Sequence, residues 1–170
     1  MTYQRFEDLP VWKEAIRLAH GVFDLTENPK FKIGYSLRDQ IERSTMSISD
    51  NVAEGFERGT TNELLAFLYI ARGSAGETRS KLAFMAERPG LLNFKSEISN
   101  LKSLAESCSR QLRAWAENLQ GSDIKGQRHL NTQGKQMEAQ KKAIAMKKIL
   151  LGNLSPDHPL VKEAKEKGLI

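Results

Sequence analysis

Three histidines, one cysteine and a spread of acids are the side chains here that could serve as base, nucleophile or metal ligand. Catalysis needs such groups to converge, and the spacing does not bring them together. His20, His129 and His158 are far apart, so no two share the i, i+4 spacing that sets a pair of metal ligands on one helix face. Cys108 stands alone, which excludes an intrachain disulfide and a cysteine-based zinc cage. It also falls within an apolar heptad, where a small core residue is the simpler reading. No glycine-rich phosphate loop follows a strand, because no segment alternates as a strand does. The expectation is a non-enzymatic protein with no cofactor and no metal.

The spacing does produce a polar stripe. Gln40, Arg43, Ser47, Asn51, Glu54 and Arg58 recur three, four, four, three and four residues apart, which places them along one line of a helix. Amides, small hydroxyls and two arginines, without lysine, suit hydrogen bonding between helices or subunits better than a solvated face. The stripe is therefore expected to be at least partly buried. Arg58, at the helix end, is the member suited to a nucleic-acid contact. Arg43 lies mid-helix, and a buried arginine deprived of its acid costs about 3–5 kcal/mol, so its assigned role is architectural.

Four amphipathic helices are predicted to position these residues. The first follows Pro10, with Trp12, Ala15, Ile16, Ala19, Val22 and Phe23 in its apolar arc, and ends at Asn28-Pro29. A linker pinned by Phe31 and Tyr35 leads to Ser36 as N-cap of the second helix, whose core stripe is Leu37, Ile41, Ser44, Ile48, Val52 and Gly55. After Gly59, Thr60 or Thr61 caps a third helix running to about Arg88, with Leu64, Leu68, Ala71, Ala75, Thr78, Leu82 and Met85 facing the core. Leu65, Tyr69, Gly73 and Gly76 make a second stripe on that helix, more than one core requires, and this asks for a subunit interface. A short turn makes the second and third helices antiparallel. Arg43 and Glu77, equidistant from Thr60, are then predicted to pair, with Ser47 level with Gly73. Arg88-Pro89-Gly90 ends the third helix, and Phe94, Ile98, Leu101, Ala105, Cys108, Leu112, Trp115 and Leu119 supply a heptad seam for a fourth. The fold class is all-α, an antiparallel up-down four-helix bundle over residues 1–120.

The motif Gln40-Ile41-x-Arg43-Ser44, then Ser47-Ile48, Asn51-Val52-Ala53-Glu54-Gly55 and Arg58, taken with FEDLPVWKEA at 6–15 and FLYIARGSAGE at 67–77, resembles a known family. It is similar to the four-helix-bundle proteins encoded within intervening sequences of bacterial 23S ribosomal RNA genes, over roughly residues 3–119. The accessory variability determinants of diversity-generating retroelements belong to the same superfamily. The resemblance implies a ring-like homo-oligomer, with a pentamer favoured, association with RNA or DNA and, in the retroelement branch, a reverse transcriptase as partner. Those accessory proteins are strongly basic over the bundle. Here the bundle is neutral, and its place is taken by a basic tail.

Residues 1–120 hold 16 Lys+Arg and 16 Asp+Glu, whereas residues 121–170 hold 10 and 5, so the whole net charge of +5 lies in the last fifty residues. Residues 121–135 read as a linker. Residues 136–170 read as a basic helical extension of two short helices, the first with a narrow stripe of Ala139, Ala143, Met146 and Leu150, the second starting at Ser155-Pro156-Asp157. Lys135, Lys141, Lys142, Lys147 and Lys148 are candidate phosphate ligands, or else the wet side of a helix docked on its own bundle. The extension has no aromatic residue, so its binding is expected to be electrostatic and poorly specific. No long apolar run or signal-peptide pattern is present, and a cytoplasmic protein with no membrane partner is expected. The functional reading is an oligomeric nucleic-acid-binding protein. The alternative is a protein-interaction scaffold whose tail grips an acidic partner.

Overall fold

Proline and the residue before it set the first boundaries. In the computed structural model, which describes residues 3–121, 132–155 and 157–166, a single turn at Phe6–Asp8 leads into α1 (Pro10–Glu27). Pro10 opens α1, where its missing N–H would be unsatisfied anyway. Asn28, held extended ahead of Pro29, closes it. The chain divides into two compact units, Met1–Arg128 and His129–Ile170. Among the described residues all regular structure is helical.

In the first unit α2 (Tyr35–Glu57), α3 (Thr61–Ala86) and α4 (Lys95–Gln120) follow α1. Each of the four packs on two others: α1 and α3 both lie against α2 and α4. One apolar core joins them, with Leu18, Val22, Ile41, Ile48, Leu64, Leu68, Leu82, Ile98 and Leu112 among its members. The core stripes read from α2, α3 and α4 are buried except at Leu37, Phe94, Trp115 and Leu119, which are half-buried. That of α1 is rotated from its expected place. Val11, Ala15, Leu18, Ala19, Val22, Leu25 and Thr26 are buried, whereas Trp12, Ile16 and Phe23 are only half-buried. The large aromatics sit at the shoulder of the face, and Trp12 packs edge-on to Phe6 at 5.4 Å between ring centres.

Two glycines fix how closely helices meet. A Cβ on Gly21 would stand 2.5 Å from Leu101 Cδ2, and one on Gly55 would stand 2.7 Å from Phe67 Cβ. Between α2 and α3 only Arg58, Gly59 and Thr60 intervene. Thr60 Oγ1 accepts from the Glu63 N–H at 3.2 Å and the Glu63 carboxylate accepts from the Thr60 N–H at 3.2 Å, a reciprocal cap. At the start of α2 the expected Ser36 cap is not used. The helix begins two residues earlier, at Tyr35, and Gly34 occupies the capping position with no side-chain bond. Phe31 does pin the linker before α2, edge-on to Phe94 at 5.1 Å, but Tyr35 stays 82% exposed. Phe94 belongs to a short 3-10 segment, Pro89–Phe94, that leads into α4.

The second unit holds two helices, α5 (Thr132–Gly152) and α6 (Pro159–Glu166). The α5 helix begins within the stretch expected to be linker through residue 135. α6 starts at the second proline rather than at Ser155-Pro156-Asp157, because His158 supplies the capping groups: its carbonyl accepts from Val161 N at 2.9 Å and its Nδ1 from Leu160 N at 3.3 Å. Leu151, Val161 and Ala164 are buried against one another, with Leu154 beside them. The α5 stripe read from sequence, Ala139, Ala143, Met146 and Leu150, is exposed throughout. The contact with α6 falls one position on, at Leu151.

Candidate functional site

The α2–α3 junction is polar even where it is dry. Ser44, Thr45, Ser74 and Thr78 are all buried. Thr45 donates to the Ile41 carbonyl at 2.7 Å and Thr78 to the Ser74 carbonyl at 2.9 Å, so each satisfies its own helix's backbone. Across the seam Thr78 Oγ1 lies 3.1 Å from Ser44 Oγ, and Ser47 Oγ lies 3.0 Å from Ser74 Oγ. Asn51 donates to both the Ser47 carbonyl at 2.7 Å and its Oγ at 3.0 Å. Among the described residues no buried side-chain nitrogen or oxygen lacks a partner. Such a seam favours one register, since a slip would break the Thr78–Ser44 and Ser47–Ser74 bonds together.

Above the seam lies an open groove of about 700 Å³ lined by Asp39, Gln40, Arg43, Ser44, Met46, Ser47, Asp50, Asn51, Ser74 and Glu77. Most of the polar stripe read from α2 is therefore one surface. Its burial is uneven: Ser47 and Asn51 are half-buried, while Gln40, Arg43, Glu54 and Arg58 are exposed. Arg43 and Glu77 face the same groove, yet the predicted pair between them does not form. Arg43 Nη1 stands 3.8 Å from Asp39 and Glu77 binds Lys81, each within its own helix. An exposed arginine needs no buried counter-ion, and i, i+4 acids are nearer. Ser47 meets Ser74 rather than Gly73, a register displaced by one residue, because the turn is centred beyond Thr60.

Arg58 is engaged on three sides. Its guanidinium binds Glu54, stands 4.0 Å from Glu63 and lies 5.0 Å above the Phe67 ring. The hydrogen bond to Glu54 raises its already high pKa, so its charge is permanent. On α3, Leu65 packs against the core, half-buried. Tyr69 is 46% exposed, and its hydroxyl accepts from Gln120 Nε2 of α4 at 2.8 Å. Gly73 is exposed and Gly76 half-buried, and a Cβ on either would meet nothing within 4 Å. Neither glycine is explained by packing within the chain.

Residues 7–114 match the family described as 23S rRNA-intervening sequence protein. The chain belongs to that family. No curated protein matches it. The matched span takes in α1 to α3 and most of α4, so the seam and groove of this 23S rRNA-intervening sequence protein lie wholly inside it, and α5 and α6 lie outside. In that outer unit Lys141, Lys142, Lys147 and Lys148 are exposed along α5 together with Ile144, Met146, Ile149 and Leu150. Lys135 is on α5 too, but its side chain lies outside the described residues, as does His129. Of the groups weighed for chemistry in this family member, Cys108 is fully buried, and burial pushes its thiol up to about 12. Among the described residues no helix is long and apolar enough to cross a membrane.

Sequence reasoning found the α2 stripe by its period. It missed Thr45 and Ser74, which complete the hydroxyl seam, because each reads alone as a tolerated small residue of a helix. The one available signal was their coincidence with the core stripes: Thr45 neighbours Ser44, and Ser74 lies between Ala71 and Thr78.

Proposed function

We propose that this protein is a non-enzymatic, cytoplasmic, oligomeric nucleic-acid-binding protein whose four core helices run alternately up and down. The observation that carries the reading is the separation of charge: a body with no net charge followed by a helix on which Lys141, Lys142, Lys147 and Lys148 are exposed. Lysines spaced along an exposed helix replace counterions on phosphates, which gives affinity without sequence preference. Self-association is assigned to the α2–α3 face, where the half-buried polar groove is flanked by exposed Met46 and Ile70. A ring of copies, five favoured, would bring several basic helices into one assembly and add their weak contacts together. Kinship with the accessory determinants of diversity-generating retroelements supports a reverse transcriptase as a further partner.

The test is filter binding of labelled RNA and DNA by the full chain and by a variant with Lys141, Lys142, Lys147 and Lys148 changed to Gln. Four phosphate contacts would weaken wild-type binding about 50- to 150-fold between about 50 and about 200 mM salt. The variant should bind more weakly than wild type at low salt and lose less affinity as salt rises. Equal retention by both proteins would remove the reading. Exposed Ile144, Met146, Ile149 and Leu150 favour a second reading, a scaffold that receives an acidic, apolar helix. That reading requires no retention of nucleic acid even at low salt.

A further inference from the structure

Many cations of the body are neutralised by a neighbouring acid on the same helix: Arg38 by Glu42, Lys81 by Glu77, Arg110 by Glu106 and Arg113 by Glu117. The α3–α4 side departs from this. Arg79 and Lys102 line a cleft of about 390 Å³ with Gly76, Ser80, Ala83 and Glu106. Neither makes an ion pair or hydrogen bond among the described residues, and nor does Arg72. The cleft's one acid, Glu106, is taken by Arg110 at 3.2 Å. Arg79 and Lys102 therefore line one cleft without an ion-pair partner of their own.

These residues continue a line. Tyr69, Arg72, Gly76 and Arg79 follow one another at three, four and three residues along α3, a run of about 15 Å at 1.5 Å per residue. The line borders α4 at both ends: the Tyr69 hydroxyl is held by Gln120, and Arg79 shares the cleft with Lys102. Tyr69 is anchored by its tip with nearly half of the residue in solvent. Gly76 keeps the helix backbone open where a side chain would obstruct it, and each glycine in a helix interior costs about 1 kcal/mol relative to alanine. An exposed aromatic followed by unpaired cations beside bare backbone is the surface that single-stranded nucleic acid uses, with bases stacking on rings and phosphates meeting cations.

We propose that the α3–α4 side of the body is a track for single-stranded nucleic acid. Tyr69 stacks a base, and Arg72, Arg79 and Lys102 receive phosphates. The track rests on the nucleic-acid reading above and sharpens it. The basic extension, which lacks Phe, Trp and Tyr altogether, contributes charge to any polyanion. Tyr69 makes the body prefer strands whose bases are free to stack over duplexes whose bases are already stacked.

The experiment is fluorescence anisotropy of the full chain with a labelled oligonucleotide, single-stranded and annealed to its complement. Tyr69→Ala should weaken single-strand binding roughly tenfold and change duplex binding little. Tyr69→Phe, which keeps the ring and loses the bond to Gln120, should bind like wild type. Replacing Arg79 and Lys102 together by Gln should reduce the salt slope on single strands by about 1.4, or 0.7 for each phosphate. Because both side chains are exposed, that variant tests the track even if Tyr69→Ala fails to fold. Wild-type single-strand binding by the Arg79/Lys102 variant would overturn the track. If the α5 lysine variant is impaired in the same assay, the broader reading survives that loss. No binding of either oligonucleotide by wild type overturns both. Displacement by polyglutamate as effective as by single strands would overturn the track in favour of an acidic peptide.

Discussion

Cys108 shows how little a reactive side chain counts once its surroundings are fixed. Burial in the core raises its pKa from 9.0 to about 12, so the native thiol stays neutral and shielded. Modification by a thiol reagent should proceed only as fast as the protein unfolds, and a burst of labelling on the native protein would contradict this. The sign of the pH effect follows. Unfolded, the thiol loses its proton near pH 9, whereas folded it keeps it to about 12. This group therefore supports the fold fully below pH 9, and that support declines as pH rises from there to 12. Cys108→Ala should flatten this part of a stability–pH profile measured by urea titration. Thr78 tests the seam in the same way. Thr78→Val keeps the shape but removes the bond across to Ser44, while Ser44 and Thr45 keep the Ile41 carbonyl, and should cost about 0.5–1.5 kcal/mol of unfolding free energy.

At the scale of elements, glycines separate packing from other purposes. Gly55→Ala forces a Cβ to within 2.7 Å of Phe67 Cβ and 3.2 Å of Leu64 Cδ1. Overpacking of this kind costs typically 1–3 kcal/mol, so its thermal midpoint should fall. Gly73→Ala meets open space and should raise the midpoint, since alanine is worth about 1 kcal/mol more than glycine in a helix. Parallel thermal melts of the two variants decide both. A fall for Gly73→Ala would mean that another molecule's backbone approaches α3 there. The stripes on α2, α3 and α4 were legible because their apolar residues recur cleanly. That of α1 was misread, since Trp12 and Phe23 are apolar by type but too large for the narrow face that Ala15, Ala19 and Val22 fill. The cap of α3 was legible as Thr60 or Thr61, because its chemistry is local, and the structure decides for Thr60 with Glu63.

For the whole molecule, the question is which exposed surfaces remain for others. Met46 and Ile70 flank the groove without being needed by the core. Sedimentation of wild type should give a mass that is a multiple of 19.2 kDa, and Met46→Lys with Ile70→Lys should reduce it to a single chain without lowering the thermal midpoint. A wild-type mass of one chain would withdraw the groove as an interface.

The sequence by itself determined the helices, their order, the three core stripes, the cap between α2 and α3, the family and the division between a neutral body and a basic extension. All of these depend on period, local capping or charge along the chain. Only the tertiary structure decided that Arg43 turns to Asp39 instead of Glu77, that Ser47 meets Ser74, and that Leu151 rather than Leu150 packs on α6. It alone set Arg79 beside Lys102. The physical reason is common to them: each depends on a rotation or shift of a single residue between neighbouring helices, which changes every cross-helix partner while leaving the repeat within each helix as it was.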